Sequence, residues 1–190
     1  MSRTADPRRR EAILEAARQT FERDGFADAR MADIARRAKM AVGTLYLYFD
    51  SKDAIARSLA SVSFARAGAV MIAILQKPLT RARVALLVKR VFDTVFENPG
   101  LGRFGIPLAD AAPTLAPEAY AAVVSQLAWA LDRQMEIGCV RRYDAVTLAD
   151  YVTILLRRAV LQSANDGRKR EPYLSTVTEV LAAALLPSES

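Results

Sequence analysis

Between Met31 and Lys52 the chain fits two short apolar stripes around a tight turn into about twenty residues, and that compression constrains the fold more than any other stretch. In the first half Met31, Ile34, Ala35 and Ala38 recur at helical spacing, which leaves Asp33, Arg36 and Arg37 on the opposite face. In the second half Leu45 and Phe49 lie four residues apart and anchor a second helix inward. The stretch therefore reads as a helix-turn-helix. Arg30, Met31, Val42, Gly43, Thr44, Tyr46, Leu47 and Tyr48 are its candidate outward and flanking residues, and Gly43 and Thr44 are small enough to let backbone approach a groove floor.

These residues resemble the TetR family of transcriptional regulators, whose pattern here runs roughly Thr-x-x-x-Ile-Ala-x-x-Ala-Gly-Val-Ser-x-Gly-Thr-Leu-Tyr-x-x-Phe-x-x-Lys. Ile34-Ala35, Ala38, Gly43-Thr44-Leu45-Tyr46, Phe49 and Lys52 match it at fixed spacing, over roughly the first quarter of the chain. Three positions depart. Arg30 and Ala41 stand where the pattern has capping Thr and Ser, each loss typically worth about 1 kcal/mol. Lys39 stands where it has the turn glycine, so a residue with a Cβ must take the left-handed conformation, at roughly 1–2 kcal/mol, or the turn must differ.

The resemblance implies an all-α fold of about nine helices. A three-helix DNA-binding head, residues 1–55, would precede a helical ligand-binding and dimerisation body, residues 56–190. It implies a homodimer that binds a palindromic operator in double-stranded DNA, most simply as a repressor, and is released by a small, largely apolar effector; a cytoplasmic location is the default expectation from the absence of a readable signal peptide or membrane span. In this family the tyrosine hydroxyls at the head, here Tyr46 and Tyr48, meet the DNA backbone. Lys52, at the start of the next helix beside free amides, would grip a phosphate. The alternative reading is a helical protein-interaction module that has lost sequence-specific DNA binding.

Composition narrows the chemistry. The charge of +6 is carried by 22 arginines against 5 lysines, a residue suited to phosphate and guanine. It is spread evenly, +3 in residues 1–57 and +3 in residues 58–190, so charge alone points only weakly to nucleic acid. With no histidine and a single cysteine, Cys139, there is no internal disulfide, no histidine general base and no histidine-bearing metal site. Neither catalysis, a cofactor nor a metal is expected. No signal peptide and no uninterrupted run of 18 apolar residues is read, so no membrane association is expected.

Taken in order, Asp6 and Pro7 open a first helix with inner stripe Ile13, Leu14, Ala17 and Phe21; Gly25 stops it near Asp24, and Phe26 folds back on Phe21. Arg8, Arg9 and Arg10 are either a solvated charge run or phosphate contacts. Asp50, with Asp53 three residues on, is expected to cap a long helix that ends before Gln76-Lys77-Pro78. Further helices are expected over 80–97, 118–137, 144–165 and 172–186, with a short broken helix and loop in the proline-rich stretch 101–117.

The helix over 144–165 is apolar around nearly its whole circumference, and one body cannot bury all of it; with the last helix it offers a four-helix interface to a second copy. Tyr151, Leu155, Arg158, Val177 and Leu181 are its candidate interface residues. Phe92, Phe96, Arg103, Phe104 and Trp129 are either plain core and surface or the lining of an effector pocket, the pocket resting on the resemblance.

Overall fold

The computed structural model describes residues 6–96, 114, 116–165 and 170–187. Among them the chain is all-helical: α1 (Pro7–Asp28), α2 (Met31–Arg37), α3 (Val42–Tyr46), α4 (Lys52–Leu75), α5 (Arg81–Phe96), α6 (Pro117–Glu136), α7 (Ala145–Asn165) and α8 (Glu171–Leu185). The expected broken helix over 101–117 falls mostly outside the described residues.

Local chemistry sets the helix ends. Asp6 accepts from Arg8 N at 3.0 Å, and Pro7 follows at the first helical position. Gly25, at φ 79 and ψ 162, breaks the helical path, and one further turn continues to Asp28. Phe26 folds back edge-on to Phe21 at 5.3 Å, as the sequence suggests. At the start of α4 the cap is Ser51 and not Asp50. Ser51 has the extended backbone a cap needs, and its hydroxyl accepts from Ala54 N at 3.1 Å, whereas Asp50 lies one residue too early.

Two main hydrophobic clusters form. Ile13, Leu14, Ala17, Phe21, Ile34, Ala35, Leu45, Phe49 and Ile55 make a small head core from α1 to the start of α4. A larger core is shared by the rest of α4 and by α5 to α8. Helix α4 belongs to both and packs on α1, α5 and α6. It is also, by length and composition, the one helix among the described residues apolar enough to cross a bilayer, with a mean hydropathy of 1.7. In the chain it packs on both cores, with 33% of that apolar stretch buried.

The body is held by contacts that periodicity does not reveal. Gly68 lets α4 approach α6 so closely that a Cβ there would stand 2.7 and 2.9 Å from the methyls of Val123. Gln134, 3% exposed, accepts from Leu79 N at 2.8 Å and donates to Leu75 O at 2.8 Å and Lys77 O at 3.1 Å, so one buried amide satisfies the α4–α5 turn. Arg141 and Tyr143, between α6 and α7, donate to the last carbonyls of α8: Arg141 N to Leu185 O at 2.8 Å and Tyr143 OH to Ala184 O at 2.9 Å. Asp144 caps α7 through Thr147 N at 2.8 Å, and hydrogen bonds to the Thr147 side chain and backbone hold its carboxyl below the usual range.

Candidate nucleic-acid interface

Helix α2 ends in a Schellman arrangement: Met40 N donates to Ala35 O at 3.0 Å and Lys39 N to Arg36 O at 3.1 Å. That motif needs a left-handed residue, and Lys39 supplies it at φ 55. The turn therefore keeps its form, with Lys39 carrying the conformation that glycine carries elsewhere. Neither Arg30 nor Ala41 makes a side-chain cap bond, in keeping with the departures in the sequence.

Leu45 and Phe49, 0% and 4% exposed, pin the short helix α3 to the head core. The opposite face is open. Val42, Tyr46 and Leu47 are 38%, 48% and 79% exposed, Gly43 is exposed beside them, and Thr44 and Tyr48 are half-buried at the flanks. A Cβ at Gly43 would meet nothing within 4 Å, so no packing inside the chain requires glycine there. Arg30 is exposed at the cap of α2, and Met31 packs partly against the head core. Several neighbouring arginines already have partners: Arg36 pairs with Asp33 at 2.6 Å, and Arg37 donates to Gln19 at 3.1 Å.

Lys52 opens α4, as the sequence suggests, and its side chain has partners within the chain. Its Nζ donates to Phe26 O at 2.5 Å and Ala27 O at 2.9 Å, and it sits 4.6 Å from the centre of the Phe26 ring. Of the three N-terminal arginines, Arg10 turns inward, donating to Ser58 Oγ at 2.8 Å with its guanidinium 5.0 Å from the Phe49 ring.

Among the described candidate pocket residues, Phe92 and Phe96 lie together and Trp129 is exposed. Phe92 is fully buried and stacks at 6.1 Å on Phe96, which is half-buried under the Arg170 guanidinium at 4.5 Å. Trp129 is 59% exposed on the outer face of α6, with Arg133 at 5.4 Å, because the inward stripe of that helix is taken by Val124, Leu127 and Leu131. Arg103 and Phe104 lie outside the described residues. Two polar clusters in the body went unread in the sequence. Asp93, 8% exposed, holds Lys89 at 2.6 Å and Arg170 at 3.0 Å. Burial works against its charge, but the hydrogen bonds from Lys89 and Arg170 prevail and keep the carboxyl below its usual range. Tyr120 stacks on Phe64 at 5.2 Å and donates to Asp150; burial first, and the carboxylate second, push the phenol up to about 12. Among the described residues no cluster of three His, Cys, Asp or Glu has the form of a metal site.

On the C-terminal helices, Val177 and Leu181 are buried in the chain's own core, with Leu181 at the bottom of an open groove. The exposed apolar residues beside them are Tyr143, Val146, Tyr151, Ile154 and Val180, with Tyr151 65% exposed. Of these, Tyr143, Tyr151 and Val180 line an open, largely apolar groove of about 340 Å³ between α7 and α8, together with Leu148, Leu155 and Leu181. Leu155 is half-buried and Arg158 is exposed on the next turn.

Residues 13–59 match the family model described as bacterial regulatory proteins, tetR family. The chain is 42% identical over 48 residues to the A-factor receptor protein of Streptomyces griseus, a stretch covering 25% of this chain and 17% of that one. It is 31% identical over 101 residues to the uncharacterised HTH-type transcriptional regulator YdgC of Bacillus subtilis, covering 50% of this chain and 52% of that one. The matched stretches thus span about half or less of these relatives' length. In structure it resembles the fatty acid degradation regulator FadR of Bacillus halodurans, with a TM-score of 0.77 at 20% identity over 95% of this chain and 97% of that one. The head thus matches the tetR family of bacterial regulatory proteins over residues 13–59, and the helical chain shares the fold of a solved fatty acid degradation regulator.

Proposed function

We propose that the chain is a homodimeric repressor with a DNA-reading head over residues 1–55 and an effector-binding, dimerising body over residues 56–190. Gly43 carries the reading. Glycine inside a helix costs about 1 kcal/mol relative to alanine, and no contact within the chain explains it at this position. A glycine there lets α3 approach the floor of a major groove, between Thr44 and the exposed Tyr46 and Leu47. Arg30 and Met31 at the start of α2, with Val42 and Tyr48, complete the contact face.

The apolar rim of the α7–α8 groove supports the dimer. The exposed Tyr143, Tyr151 and Val180 line an apolar groove of the kind that marks an interface, with Leu155 in its lining and Arg158 exposed one turn on. Two-fold pairing there would place two heads on half-sites about one DNA turn apart. One relative is named as a receptor and another as a regulator of fatty acid degradation, and these names support a small, largely apolar effector in the body. Because α4 belongs to both cores, a tilt of α4 on effector binding would change the separation of the heads, provided the effector binds one state more tightly.

Fluorescence anisotropy with duplexes from the chain's own upstream region tests the reading. Wild type should prefer one duplex over random sequence at moderate salt, and Thr44→Ala should erode that preference. Equal binding to all duplexes by both proteins refutes it.

A further inference from the structure

Among the described residues Lys39 is the one residue other than glycine with a positive φ, 55°. Glycine takes that conformation without strain, and asparagine or aspartate in it can hydrogen-bond locally; a lysine has neither advantage. The turn asks for the conformation and not for the side chain, because the bonds that close it, Met40 N to Ala35 O and Lys39 N to Arg36 O, run between backbone groups. Packing does not ask for the side chain either. Lys39 is exposed, and among the described residues its ammonium has no hydrogen bond or ion pair. The negative end of the α2 dipole favours cations, but Arg36 and Arg37 already supply two in that last turn. A charged side chain held in a conformation that penalises it, with no use inside the chain, points to a use outside it.

Lys39 lies three residues before Val42, the first residue of α3. Three residues of chain span at most about 11 Å, and a major groove is about 12 Å wide, bordered by phosphates on both sides. With α3 in the groove, an extended lysine on the turn therefore stands at that border. Arg36 and Arg37 have Asp33 and Gln19 as partners, whereas Lys39 can take a phosphate without giving one up.

We propose that Lys39 grips a DNA phosphate from the α2–α3 turn, a contact kept despite a backbone strain that glycine would relieve. This rests on the DNA-binding reading above. A phosphate contact carries no sequence information, so it adds affinity on every duplex and leaves the preference among them to the α3 face.

The test compares wild type, Lys39→Gly, Lys39→Gln and Lys39→Arg as full chains. Urea unfolding is read beside fluorescence anisotropy on the preferred duplex and on random sequence, from about 50 to about 200 mM salt. Losing one phosphate contact lowers the slope of log affinity against log salt by about 0.9, so the wild-type advantage should shrink about 3.5-fold per head across that range. Lys39→Gly should unfold at higher urea than wild type, yet bind every duplex more weakly and with the lower slope. Lys39→Gln keeps the Cβ and loses the charge; it should show the same lowered slope without the gain in stability. Lys39→Arg should keep the wild-type slope. Where wild type prefers one duplex, a wild-type slope in both Lys39→Gly and Lys39→Gln, or a lowered slope in Lys39→Arg, overturns the contact and leaves the DNA reading standing. A lower urea midpoint in Lys39→Gly removes the strain from which the inference starts and overturns it as well. Wild type that binds no duplex overturns the DNA reading and the contact together.

Discussion

Gly68→Ala isolates the closest helix approach in the body. The added Cβ would lie 2.7 and 2.9 Å from the two methyls of Val123, well inside ordinary contact. Valine is stiff about χ1 in a helix, so the methyls cannot both turn aside, and α4 and α6 must move apart by several tenths of an ångström. Overpacking of this kind costs about 1–3 kcal/mol. Against it stands a gain of about 1 kcal/mol from replacing glycine with alanine inside a helix. The net expectation is a destabilisation of about 1 kcal/mol, read as a lower urea midpoint at unchanged slope. The sign should depend on Val123. In a Val123→Ala background the opposing methyls are gone, and Gly68→Ala should stabilise by up to about 1 kcal/mol, a coupling of about 2 kcal/mol across the double-mutant cycle. If Gly68→Ala stabilises both backgrounds equally, the two helices do not meet as described and the reasoning fails.

Other outcomes follow from the same contacts. Gln134→Leu leaves Leu79 N and the carbonyls of Leu75 and Lys77 without partners in a buried turn and should cost about 2–4 kcal/mol, measured by thermal or urea unfolding. Lys39→Gly relieves the left-handed lysine and should stabilise the fold by about 0.5–1 kcal/mol, with Lys39→Ala giving no such gain. Asp93, whose folded carboxyl lies below its unfolded value, contributes stability that is present above about pH 4 and lost as pH falls through the lowered value. Asp93→Asn should therefore be less stable than wild type near neutrality and approach it in acid, as unfolding midpoints across that range would show. Tyr151→Glu puts a charge in the middle of the exposed α7 ridge and should shift sedimentation toward the single subunit while leaving helix content unchanged; a wild type that is already a single subunit removes the dimer from the account.

The head was legible in the sequence because each signal there is local: a helical stripe, a short turn and an aromatic anchor all fall within about twenty residues. Even the odd residue was informative, since Lys39 does take the left-handed conformation that its position demands. Helix boundaries in the body agree within about two residues because proline, glycine and polar breaks mark them. What stayed hidden depends on partners distant in sequence. Nothing near Lys52 announces that carbonyls 25 and 26 residues earlier will hold it. Trp129 and Phe92 look alike as aromatic residues on helices, and only the rotation of each helix decides that one is exposed and the other buried. That Val177 and Leu181 pack into the chain's own core is hidden too, because an apolar stripe does not say which body it faces. Gln134, by contrast, left a trace: a polar residue on the inward stripe beside Leu127, Leu131 and Met135 marks a buried hydrogen-bonding role.

The central claim, that the α2–turn–α3 face reads duplex sequence, is tested most directly by selection from a pool of randomised duplexes with the full chain at moderate salt. The account predicts enrichment of a two-fold symmetric site with half-sites about one turn apart, and loss of that enrichment in Gly43→Leu, whose side chain would stand in the open space in front of α3. A pool that stays unenriched with wild type, or enriches the same site with Gly43→Leu, contradicts it.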